Sequence, residues 1–158
     1  MNGSSWLLWG FVATLVETTI SAGAQGLGLT RISFPQILGT IFTGDRDKAK
    51  LCGLGTHLIL GLVYSLLYVA IFQALGKAGW WRGGLIGIIH GLFVLLVVMK
   101  ILPGLHPRMA SEQYGPTAKR VLEPPGYMAL HYGVQTPVAV LLSHMAFGVI
   151  LGVFYRLR

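Results

Sequence analysis

Four long apolar runs organise the chain, at residues 5–24, 51–75, 83–102 and 134–155, and each carries one acidic or imidazole side chain inside it: Glu17, His57, His90 and His144. Runs of this length cross the ~30 Å hydrocarbon layer as helices rising 1.5 Å per residue. Lipid forbids open strand edges. The pattern therefore predicts an all-α polytopic membrane protein, with residues 1–158 forming a single domain of four transmembrane helices. Four spans place both termini on one face (face A) with the short turn at 76–82. The long connections 25–50 and 103–133 lie on the other face (face B), so the helices form two tandem hairpins.

The long connections are not Gly/Ser linkers. Residues 35–42 suit a short interfacial helix lying on the membrane, with Pro35 in its first turn. Pro107, Pro124 and Pro125 fix φ along the second connection and imply a defined path. Pro137 predicts that the fourth helix starts or kinks close to it.

Composition strengthens this picture. The 158 residues are 54% hydrophobic and only 11% charged, against about 25% charged in soluble domains. That excludes a water-soluble globular enzyme, a disordered tail and a disulfide scaffold. Cys52 is alone, so neither an intramolecular disulfide nor a thiolate metal cluster is expected. The formal charge is +7, but the cations sit between apolar runs with no aromatic-interleaved stripe, which argues against nucleic acid. Arg31, Arg46, Lys48, Lys50, Lys100, Arg108, Lys119 and Arg120 belong to face B, and Lys77, Arg82, Arg156 and Arg158 to face A. The positive-inside rule then puts face B in the cytoplasm and both termini outside. Trp6, Trp9, Trp80 and Trp81 fall at the face-A ends of helices one and three and predict an interfacial belt. Residues 6–16 resemble a signal-peptide core, but no Lys or Arg precedes them and Glu17 follows, so a retained first helix is expected.

The two hairpins look like copies of one unit. Gly10 precedes Glu17 by seven residues, as Gly83 precedes His90; His57 is followed by Gly61 and Tyr68 at the spacing at which His144 is followed by Gly148 and Tyr155. Such copies would be related by an axis along the membrane normal. Stripes of small residues accompany the ionisable positions, at Gly53 and Gly61, at Gly83, Gly87 and Gly91, and at Gly148 and Gly152. They predict close helix approach, or else room beside the histidines for a flat macrocycle.

A charge at the bilayer centre costs ~2.5–3.5 kcal/mol on insertion scales, so such groups face inward and take partners. Counted from face B, Glu17 and His57 lie ~10 Å deep and His90 and His144 ~15–18 Å, near enough to converge. Three readings follow. Glu17, His57, His90 and His144 could hold a transition metal, or His57 and His144 could be the axial ligands of a haem. The set could relay protons or line a path for a small solute. Or each histidine only hydrogen-bonds within the protein. His106, beside Pro107 among polar residues, reads as a solvated loop residue. It and His131, with Glu112 and Glu123, would add ligands only if the second connection folds over the bundle mouth. No catalytic residues are assigned, and there is no soluble catalytic motif. Ser143 and His144 are neighbours on a helix, whose side chains should face apart.

Residues 31–47, the stretch Leu105-His106-Pro107-Arg108-Met109-Ala110-Ser111-Glu112, the stretch Leu122-Glu123-Pro124-Pro125-Gly126 and the Tyr132-Gly133-x-x-Thr136-Pro137 start of helix four resemble an uncharacterised bacterial family of small four-helix integral membrane proteins. The likeness extends to His57, His90 and His144. It implies the architecture, and no settled activity, substrate or cofactor comes with it. The leading expectation is a metal- or haem-binding accessory or electron-transfer subunit of a respiratory or photosynthetic assembly in the inner membrane. Its partners would be the lipid bilayer and other membrane subunits or further copies of itself. The alternatives are a cofactor-free structural subunit and a small proton or solute transporter.

Overall fold

A computed structural model describes residues 1–111 and 113–157; Glu112, a possible extra ligand, and Arg158, counted on face A, lie outside the described residues. The fold is all-helical. Helix α1 (Gly3–Gly26) is capped by Asn2, whose side chain accepts from the Ser5 N–H at 3.2 Å. Helix α2 (Phe34–Thr40) is capped by Ser33 and carries Pro35 in its first turn. Helix α3 (Arg46–Leu75) starts before the apolar run because Asp45 accepts from the N–H groups of Asp47 and Lys48, at 3.1 and 2.9 Å. It stops at Gly76, which takes the left-handed conformation at φ 60°.

The third span, Trp80–Leu105, is α4 (Trp80–Phe93), a π-helical turn (Val94–Val98) and α5 (Met99–Leu105). It continues through Pro103, where the apolar run predicts a loop. The proline removes a single intrahelical bond, the one that residue 103 would give to the Met99 carbonyl, in the last turn of the span. Helix α6 (Thr136–Phe154) has Pro137 in its first turn, so this proline starts the helix and does not kink it. The four spans have mean hydropathies of 1.4, 2.2, 2.6 and 2.1, and their outward residues, Leu8, Ile59, Leu67 and Ile89 among them, are exposed as a lipid-facing surface requires.

Helix α6 lies at the centre, packed on α4 on one side and α1 on the other, and α1 packs on α3. Glycines set the spacing. A Cβ on Gly83 would meet the Gly148 carbonyl oxygen at 1.9 Å, and one on Gly148 the Gly83 oxygen at 2.0 Å. Across α1 and α3, Gly61 receives Thr14 in the same way, at 2.1 Å from its Oγ1. The small residues are therefore filled by neighbouring helices, not left as space beside the histidines.

The short helix expected over residues 35–42 is α2. It packs on α3, where Cβ atoms on Gly39 and Gly53 would meet the Ala49 and Pro35 carbonyl oxygens, each at 1.6 Å. The tryptophan belt is also only partial. Trp80 and Trp81 are exposed, but Trp6 Nε1 donates to Ser65 Oγ at 2.8 Å and Trp9 stacks on Phe154 at 4.4 Å, tying α1 to α3 and α6.

The backbones of α3 and α4 do not pack against each other. One apolar cluster, around Ile32, Leu95, Met99 and Val140, joins the third span and α6 to the long connections on the face-B side. A second, around Tyr68, Phe72, Phe147 and Leu151, fills the face-A side.

Candidate functional site

The four ionisable spans converge. Glu17 on α1 is 4% exposed, and His57 Nε2 on α3 donates to its Oε2 at 2.6 Å. On the other side of the carboxylate, Ser143 Oγ lies 3.4 Å from Oε1. His144 on α6 is buried, and its Nδ1–H donates to the Val140 carbonyl at 2.9 Å. That bond fixes the neutral ring's lone pair on Nε2. His90 on α4 lies edge to face with His144, ring centroids 4.8 Å apart, and its Nδ1 is 3.1 Å from the Tyr68 hydroxyl. His90 Nε2 is buried without a hydrogen-bond partner.

Successive residues on an α-helix are turned by about 100°, and Ser143 and His144 should diverge if only one face of α6 were covered. Because α6 is enclosed by both α1 and α4, both residues are buried and Ser143 joins the centre. They still do not make a nucleophile and base. Ser143 Oγ and His144 Nδ1 both reach the Val140 carbonyl, at 3.0 and 2.9 Å, so the nitrogen facing the hydroxyl already holds a proton.

These groups form the polar part of the lining of a cavity of about 130 Å³. Phe34, Ile37 and Leu38 of α2, Leu60 and Tyr64 of α3, Val94 and Val98 of the π turn, and Leu102 of α5 supply much of the apolar remainder. Leu60 is also 36% exposed on the outside of the bundle, in the middle of α3. The cavity is therefore not sealed, and one of its walls, Leu60, is itself partly exposed midway along a span. Phe34 and Tyr64 are site residues that hydropathy alone does not reveal. Phe34 stacks on His57 (5.9 Å, 9°) and meets His144 edge-on (6.1 Å, 71°), and Tyr64 covers His90 at 4.4 Å.

The connection residues behave differently from the expectation. His106 is 4% exposed, not solvated. Its Nε2–H donates to the Ile37 carbonyl at 2.9 Å, and Nδ1 accepts from the Arg108 N–H at 3.1 Å, which locks the second connection onto α2. Burial and the Arg108 charge hold its pKa below the usual histidine value, against the pull of the Ile37 bond. His131 is exposed and its Nδ1 donates to the Pro124 carbonyl at 2.9 Å; Glu123 pairs with Arg31 at 3.0 Å. None of the three lines the cavity.

Among the described residues, no three His, Cys, Asp or Glu side chains are arranged to hold a metal ion. Glu17, the Val140 carbonyl and Tyr68 each engage one imidazole nitrogen of a different histidine, and each ring keeps its second nitrogen. No protein-family model, curated protein or solved structure matches this chain.

Proposed function

We propose that this chain is a multi-pass protein of the bacterial inner membrane, face B cytoplasmic, that takes a small lipid-soluble ligand from the bilayer and exchanges a proton with it at the Glu17–His57 pair. One observation carries the reading: the cavity is apolar apart from the Glu/His cluster at its end, and its Leu60 wall is partly exposed midway along a span, the route by which a ligand would enter from lipid. A dry cavity of ~150 Å³ holds a benzene ring, so about 130 Å³ suits one six-membered ring whose tail stays in lipid. The ligand class is a quinone- or phenol-type ring. A phenol or quinol hydroxyl would donate to the His144 Nε2 lone pair, and a quinone carbonyl would instead accept from the outer N–H of a protonated His57.

The pair suits proton exchange. As carboxylate with imidazolium, or carboxylic acid with imidazole, it holds one exchangeable proton and stays neutral overall, which avoids the cost of a net charge in hydrocarbon.

A metal or haem in an accessory electron-transfer subunit draws less support. A macrocycle bridging His57 and His144 competes with Phe34 for the space beside both rings and exceeds the cavity. The exposed apolar helix faces are consistent with neighbouring membrane subunits or further copies as well as lipid.

Equilibrium binding of a decyl-benzoquinone and its quinol to the chain in lipid nanodiscs tests the reading. Saturable binding is expected, and for the quinol it should weaken about 5- to 150-fold in His144→Ala, as for a buried hydroxyl left without its acceptor at ~1–3 kcal/mol. No saturable binding, or equal binding in His144→Ala and Glu17→Gln, would refute it.

A further inference from the structure

Away from the Glu/His centre, the end of α1, helix α2, the start of α3 and the second connection enclose a separate cleft of about 480 Å³ on face B. Among the described residues its walls carry four cations, Arg31, Arg46, Lys50 and Arg108, and no carboxylate. Arg31 is paired with Glu123 at 3.0 Å, but among the described residues Arg46, Lys50 and Arg108 have no carboxylate within 4.0 Å. Asp45 and Asp47 are close in sequence, yet neither lines the cleft, and the Asp45 carboxylate is occupied in capping α3.

The geometry of these cations favours an anion. Arg46 and Lys50 stand one turn apart on α3, a placement in which like charges repel unless something neutralises them. Arg108 Nη1 is held by the Thr40 and Ile41 carbonyls at 2.7 and 3.1 Å, so the guanidinium is fixed in place while its remaining N–H groups stay available. The cleft sits where α1 ends and α3 begins its apolar run, at the level of lipid headgroups.

We propose that this cleft binds a phosphate group, presented by the headgroup of an anionic phospholipid. A guanidinium fork and a neighbouring ammonium match phosphate oxygens in geometry and charge, and basic pockets on the cytoplasmic side of helix bundles take such headgroups. Occupancy would also bear on the ligand cavity. Helix α2 presents Gln36 and Thr40 to the cleft and Phe34 and Ile37 to the cavity, so a bound headgroup steadies one wall of the Glu/His centre.

The test uses the full chain in detergent, exchanged into mixed phosphatidylglycerol and phosphatidylcholine at about 0.15 M salt, washed, and assayed for retained lipid. Phosphatidylglycerol is expected to be retained selectively. R46Q/K50Q should weaken its retention on the order of thirty-fold, the charge-preserving swap R46K/K50R should restore it, and K77Q/R82Q on face A should leave it unchanged. Millimolar inorganic phosphate names the source. If it fails to displace the lipid, the headgroup is the ligand; if it displaces the lipid and binds alone, the site takes free phosphate. Either result supports the phosphate site. Equal retention of both lipids without phosphate binding, or R46Q/K50Q behaving like the unaltered chain while remaining folded, overturns it.

Discussion

Removing the imidazole from the Glu17–His57 pair is the sharpest perturbation of this fold. In His57→Ala the Glu17 side chain, 5% exposed, loses its 2.6 Å partner and keeps only the Ser143 hydroxyl at 3.4 Å. Breaking a buried pair from one side costs ~3–5 kcal/mol, because the other charge is left uncompensated, whereas replacing both members by apolar residues is often neutral. The double change Glu17→Leu/His57→Leu should therefore recover most of what His57→Ala loses, while quinone binding stays abolished. Reversible unfolding in mixed micelles of the single and double variants gives the coupling directly. A His57→Ala cost under ~0.5 kcal/mol, or a double variant as unstable as Glu17→Leu and His57→Leu added together, would show that the two groups do not depend on each other.

Other substitutions separate packing from chemistry. Gly148→Leu should prevent α4 and α6 from docking and abolish recovery of folded protein, since even a Cβ lies 2.0 Å from the Gly83 carbonyl oxygen. Gly55→Ala, in α3 with nothing within 4 Å, should instead stabilise by ~0.5–1 kcal/mol in the same unfolding assay. Asp45→Ala removes the two bonds that start α3 and should cost ~1 kcal/mol. His106 predicts a pH effect of definite sign. Its native pKa is depressed from 6.5, so above that value it favours neither state. As pH falls below it, the released connection takes up a proton that the docked one resists. Docking should weaken with acidification, read as a lower protection factor (exchange relative to the intrinsic rate at each pH) at the Arg108 amide, and His106→Gln should flatten the dependence.

Much of this was legible in the sequence because lipid is a demanding solvent. Polar groups in hydrocarbon must turn inward, so one ionisable residue per span at similar depth already implied a shared centre, and Glu17, His57, His90 and His144 do line one cavity. What escaped depends on how elements pack. Ser143 looked turned away because a helix enclosed on two sides cannot be recognised from its own residues. Phe34 and His106 reach their places through long connections, whose paths hydropathy does not encode. The polar start of α3 was hidden for the opposite reason: Arg46 to Lys50 look like loop by hydropathy, and only the Asp45 cap marks them as helix.

The most direct measurement is the infrared difference spectrum of the chain in nanodiscs on adding quinol, with Glu17→Gln as reference. A proton shared between Glu17 and a ring-bearing ligand predicts a saturable change in one carboxyl band that Glu17→Gln abolishes. A spectrum without a saturable carboxyl change, or one that Glu17→Gln reproduces, would contradict a proton-exchanging centre open to the bilayer.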